Sequence, residues 1–149
     1  NNLIPNGNFD EGQVKWTPSD AIVDVSALVD GTVAQSGTKV LRLGGNVSTT
    51  SCASDVFTIP PNQTLRLSGY ILTSHPPVEG VVTMKIVNSQ HQTLFEFYTK
   101  GNGDGTYRQF SKTFKSLDVP MDCQITLSND NVGEWWKQAL FDSLSLVSV

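Results

Sequence analysis

The strongest constraint on this chain is a succession of short segments in which apolar and polar residues alternate with period two. Thr64-Leu65-Arg66-Leu67-Ser68-Gly69-Tyr70-Ile71-Leu72 is the longest, and it stops at His75-Pro76-Pro77. Val40–Leu43 ends at Gly44-Gly45, and Asp55–Ile59 ends at Pro60-Pro61-Asn62. Further segments run over 81–87, 93–98, 107–114, 123–127 and 139–149, separated by clusters of Gly, Asn, Asp, Ser and Pro. Side chains on a strand point to opposite faces in turn, so each segment reads as a strand with one face on a core. Short strands at regular spacing with turn signals between them predict an all-β sandwich. No sustained stripe of period 3.6 predicts a long helix. With no internal repeat or linker, residues 1–149 are expected to form a single antiparallel β-sandwich domain.

Alternation also assigns faces. Leu65, Leu67 and Ile71 fall on one side of their strand, with Arg66, Ser68, Tyr70 and Leu72 on the other. Met84 and Ile86 oppose Thr83 and Lys85, while Ile125 and Leu127 oppose Gln124 and Thr126. The outer faces therefore mix hydrogen-bonding groups with a few aromatic rings. Charged residues are only 16% of the chain, and Ser, Thr, Asn and Gln supply much of the polar surface, as in many secreted β-proteins. A net charge of −4 without basic clusters excludes phosphate-driven nucleic-acid binding. No apolar run is long enough for a membrane helix, so no membrane partner is expected. The opening Asn1-Asn2-Leu3 suggests a mature or excised domain.

Little in the sequence supports catalysis. A glycosidase needs two carboxylates about 5–9.5 Å apart. Most acids here fall in turns, and Glu96 is the one glutamate within an alternating strand segment. No Gly-x-Ser-x-Gly occurs, and His75 and His91 both sit in turns. The chain is therefore not expected to be an enzyme. Asn46-Val47-Ser48 and Asn62-Gln63-Thr64 match the glycosylation pattern, but chance accounts for two such matches, so no function is assigned to them. Cys52 and Cys123 exclude a cysteine-rich zinc site. They allow either a disulfide, worth roughly 4 kcal/mol in the chain-entropy account, or two buried thiols. Their position at the starts of strands favours the disulfide.

The two ends of the chain carry a resemblance. Asn2-Leu3-Ile4-Pro5-Asn6-Gly7-Asn8-Phe9-Asp10-Glu11-Gly12, followed by Trp16, resembles the opening of jelly-roll carbohydrate-binding modules appended to polysaccharide-degrading enzymes. Leu140-Phe141-Asp142-Ser143-Leu144-Ser145-Leu146 is similar to their closing strand, with Ser143 where many carry a second aspartate. Gly37–Leu43 and Leu65–Tyr70 resemble two strands between. The resemblance implies a jelly-roll sandwich with a non-catalytic role, secreted or extracellular, holding a linked catalytic domain on a polysaccharide or oligosaccharide. It also implies a structural calcium ion, whose ligands carry over to the Gly7 carbonyl, the Asp10 carboxylate, the Lys39 carbonyl and Asp142. Asp142 stands out unaided, because an unpaired carboxylate in an otherwise apolar strand is costly to desolvate. Amide hydrogen bonds or Lys39 are the alternative partners.

Within such a module, Trp135 and Trp136 are the leading candidates for stacking on sugar rings. Adjacent strand residues face opposite ways, so at most one of the pair can enter the core. Tyr70 and Tyr98 follow as second candidates, with Arg66, Lys85 and Gln124 expected to supply hydrogen bonds from the same outer face. An adhesion or structural module of a cell surface or virion is the alternative use of such a sandwich, since fold does not fix function.

Overall fold

The computed structural model describes residues 1–28, 31–73, 81–88, 90, 92–100 and 103–149. Eleven strands are present among the described residues: β1 (Trp16–Thr17), β2 (Ile22–Asp24), β3 (Lys39–Gly44), β4 (Ser51–Ser54), β5 (Phe57–Ile59), β6 (Thr64–Thr73), β7 (Val81–Asn88), β8 (Thr93–Lys100), β9 (Arg108–Lys115), β10 (Met121–Ser128) and β11 (Gln138–Ser148). They form two antiparallel sheets, as expected. One has the order β1-β4-β10-β7-β8, with β5 pairing the first half of β10; the other has the order β2-β3-β11-β6-β9. Helix among the described residues is confined to three single 3-10 turns, at Ser19–Ala21, Val25–Ala27 and Trp135–Lys137.

The core lies between the sheets and is filled by the apolar faces that alternation predicts. Leu65, Leu67 and Ile71 from β6 meet Met84, Ile86, Ile125 and Leu127 from the other sheet, all buried. β11 lies in the middle of its sheet, between β3 and β6. Its alternation breaks because the strand carries a bulge: Asp142 pairs with Tyr70 and Ser145 with Ser68, so Ser143 and Leu144 together oppose Gly69. Ser143 takes the left-handed conformation there, at φ 53°. A side chain at position 69 would stand 2.6 Å from Leu144 and 2.7 Å from Phe110, which is why glycine interrupts this strand.

The opening segment fills the bulge. Leu144 N–H donates to the Gly7 carbonyl at 2.8 Å, Leu3 N–H donates to the Leu146 carbonyl, and Asn2 bonds both Leu144 and Leu146. Gly7 has room for no side chain, since a Cβ would lie 2.3 Å from the Leu144 carbonyl oxygen. Asn6 is buried and folds the segment on itself, donating to the Gly12 and Val14 carbonyls and accepting from Glu11 N–H. Phe9 and Trp16 then pack edge to face at 5.4 Å, and Trp16 Nε1 donates to the Pro5 and Asn6 carbonyls. The opening motif is therefore a packing device. The tight turns around Phe9 use left-handed φ at Asn6, Phe9 and Gly12, rather than at Gly7.

The cysteines form no disulfide; both are free and buried. Cys52 pairs with Leu127 in the ladder, four residues along β10 from Cys123. That separation is about 14 Å, twice what a disulfide spans. Burial, above all, pushes the thiols up to about 12 for Cys52 and about 11 for Cys123. Neither thiol is expected to react with iodoacetamide at mildly alkaline pH until denaturant is added, and the melting temperature should not respond to reductant. Asn6→Ala leaves two carbonyls and one N–H without their partner and is expected to cost about 1–3 kcal/mol. At about 2–4 °C per kcal/mol for a chain of this size, calorimetry should show a clear fall in melting temperature.

Candidate sugar-binding groove

The outer face of the five-stranded sheet carries the cleft. Directly opposed residues Leu72, Leu140 and Arg42 form a row across β6, β11 and β3. The row continues to Ala21, just before β2, because Ile22 pairs with Leu41. Leu72 and Leu140 join Val40 in a second apolar cluster on this outer face, packed beside Val23, Val25, Ala34 and Tyr107. A strap of chain (25–28 and 31–36) lies over part of this cluster. Beside it opens a groove of about 750 Å³, within the range usual for ligand clefts. Leu72, Leu140, Arg42 and Gln138 line its sheet side, with Leu28 and Val33 from the strap and Trp135 from the 3-10 turn that precedes β11.

The strap is pinned at both ends. Asp24 caps its first turn by accepting from Ser26 N–H. At the other end, Gln35 and Ser36 N–H groups both donate to Asp142 Oδ2, and Ser143 N–H donates to Asp142 Oδ1. Tyr107 O–H donates to the Val33 carbonyl at 2.7 Å. Asp142 is fully buried, and burial raises its carboxyl above the ordinary aspartate value against the pull of those three amides. The nearby Asp10 charge pushes in the same direction as burial. Lys39 lies 4.0 Å from Asp24 and forms its ion pair there.

The tryptophan rim is held by Asn129, which the sequence reading does not single out. Its buried side chain donates to the Leu43 and Lys137 carbonyls and accepts from Asn131 N–H. Gly44 must approach it closely: a Cβ there would lie 2.5 Å from Asn129 Nδ2. This ties the loop after β10 to the end of β3 and sets the 3-10 turn that carries both tryptophans. Neither enters the core, and the strand geometry expected for them is corrected by this turn. Trp135 is 56% exposed and lines the groove. Trp136 does not line the groove, and Lys137 Nζ stands 5.3 Å over its ring.

The other expected sugar contacts do not converge. Arg66 and Tyr70 lie on the same outer face as the groove but do not line it. Lys85 and Gln124 belong to the other sheet, so they face the opposite side of the sandwich; the single outer face expected for these four residues is corrected. Lys85 pairs with Glu96 at 3.5 Å, and Gln124 donates to the Ser54 carbonyl. Tyr98 falls in β8, and its side chain lies outside the described residues, as do His75 and His91. Arg42 is a groove residue that the sequence reading does not single out.

No protein-family profile and no curated protein matches the chain. Solved structures do. A family 4 carbohydrate-binding module superposes with a TM-score of 0.64 at 16% identity, covering 98% of this chain and 99% of the other. A family 61 module in complex with β-1,4-galactotriose gives 0.63 at 12% identity, covering 100% and 99%. The fold is that of the jelly-roll carbohydrate-binding modules. The same sandwich also matches part of bacteriophage CBA120 tailspike protein 4, with a TM-score of 0.63 at 9% identity, covering 99% of this chain and 21% of that one.

The Tyr107 phenol offers a check on the strap. Burial first, and the Asp142 charge second, hold its proton well above the usual tyrosine range. A raised folded value means the stabilisation is complete below about pH 10 and is lost as pH rises above the unfolded tyrosine value. Tyr107→Phe should cost about 0.5–1.5 kcal/mol at neutral pH through the lost bond to Val33. It should also flatten the decline in stability above about pH 10 seen in urea titrations of the parent chain.

Proposed function

We propose that this chain is a non-catalytic carbohydrate-binding module. The observation that carries the proposal is the groove itself, in which an exposed Trp135 faces an apolar floor flanked by Arg42, Gln138 and Asn46. Sugar rings have apolar faces and hydroxyl edges, and this combination suits both. The solved modules of the same fold support the reading, one of them holding a β-1,4-galactotriose. The role would be to keep a linked catalytic domain close to an extracellular polysaccharide, where tethering raises effective concentration even when each contact is weak. Affinities in the micromolar to millimolar range, about −4 to −8 kcal/mol, fit an open groove of this kind.

The corner beneath the strap suits a calcium ion. Asp10 and Asp142 lie near one another, and the Asp10 carboxylate accepts no hydrogen bond among the described residues. A Cβ at Gly37 would stand 2.6 Å from Asp10 Oδ1, so glycine there leaves the carboxylate its place. The donors are hard oxygens, the class calcium takes. No group of three or more acidic, His or Cys side chains gathers among the described residues, so carbonyls such as those of Gly7 and Lys39 would complete the shell. The ion would stabilise the chain ends and the strap and would not touch the sugar.

Affinity electrophoresis against xylan, β-glucan, mannan and galactan tests the module reading. Trp135→Ala should weaken retention on the binding polysaccharide at least tenfold, about 1.4 kcal/mol, while Trp136→Ala binds as the parent does. Equal binding by both variants would remove the groove. For the ion, calcium added to metal-free protein should raise the melting temperature by several degrees, and Asp10→Ala should abolish the rise. An unchanged melting curve with calcium and with chelator would refute the site.

A further inference from the structure

Next to the groove lies a second cavity, of about 330 Å³, lined by Asp20, Ala21, Val23, Arg42, Asn46, Val47, Ser48 and Thr49. It shares Arg42, Asn46 and Val47 with the groove, so the two meet across one side chain of β3 and the loop that follows it. The cross-strand row runs through both: Leu72 and Leu140 line the groove, Arg42 lines both, and Ala21 lines the second cavity. Four strands at about 4.8 Å spacing make this track about 14 Å long. Its two halves differ in chemistry. The groove offers Trp135 and aliphatic side chains. The second cavity offers the Asp20 carboxylate, the Asn46 amide and the Ser48 and Thr49 hydroxyls.

Those four polar side chains take no part in holding the fold. Among the described residues none of them makes a hydrogen bond or ion pair. This contrasts with Asn6, Asn129 and Asp142, whose polar atoms are all engaged in tying segments together. Hydrogen-bonding groups that converge on a concavity and serve nothing within the chain are available to a ligand. We propose that the second cavity is a further subsite for the same saccharide chain, so that a bound chain runs across the strands from Trp135 to Asp20. Asp20 would accept from sugar hydroxyls, and its charge disfavours a uronate at that position. The ligand class is thus a neutral oligosaccharide long enough to span both halves. This inference rests on the module reading above and adds direction, length and charge to it.

The test is a length series. Isothermal titration uses neutral disaccharide through hexasaccharide ladders from cellulose, xylan, mannan and galactan, with the parent chain, Asp20→Ala and Ser48→Tyr. In the parent, affinity for the recognised ladder should climb with length. Asp20→Ala should weaken the hexasaccharide about tenfold and leave the disaccharide unchanged, and Ser48→Tyr, which fills the cavity, should erase the gain with length. A gain that survives in both variants, or a parent affinity flat from disaccharide to hexasaccharide, overturns the subsite and leaves the groove standing. Failure of every ladder to bind the parent chain would bring down the groove reading and this inference with it.

Discussion

The bond from Leu144 N–H to the Gly7 carbonyl holds the arrangement of this domain together. A bulge in the central strand of a sheet leaves backbone groups unpaired inside the protein, and buried amides without partners are costly. The opening segment supplies the missing partner from the far end of the sequence. Once it does so, Phe9 and Trp16 are delivered to the core, and Asp142 is turned outward beneath the strap. The strap in turn makes one wall of the groove. A local irregularity in β11 thus positions elements as distant in sequence as residues 7 and 33.

Much of the fold was legible because alternation is a direct record of which face is buried. The long strands β6, β7 and β10 and the outward placement of Arg66, Tyr70 and Leu72 follow from it. Two strands escaped for a physical reason: β1 and β2 are two and three residues long, too short to display a period. Alternation also assigns a face without assigning a sheet. Lys85 and Tyr70 both point outward, yet they lie on opposite sides of the sandwich, because the order of strands is set by long-range pairing.

The candidate site was less legible. Asp142 announced itself as a carboxylate in an apolar strand, and three amides explain how it is tolerated. Asn129 carried no such signal, since asparagine in a run of Asn, Asp and Gly reads as a turn former. Its importance comes from the carbonyls of Leu43 and Lys137, which only the fold brings to it. Trp135 and Trp136 were visible as a pair, but a 3-10 turn, rather than a strand, decides that one ring faces the groove and the other pairs with Lys137.

The course of β11 gives the molecule a polarity. The strand starts at Gln138 on the groove and finishes at Ser148, roughly 30 Å further on, where Leu3 joins it. Both chain ends therefore emerge at the pole remote from the groove. Anything fused to either end would sit, as a handle sits on its blade, at the far end of the strands and leave the mouth of the groove uncovered.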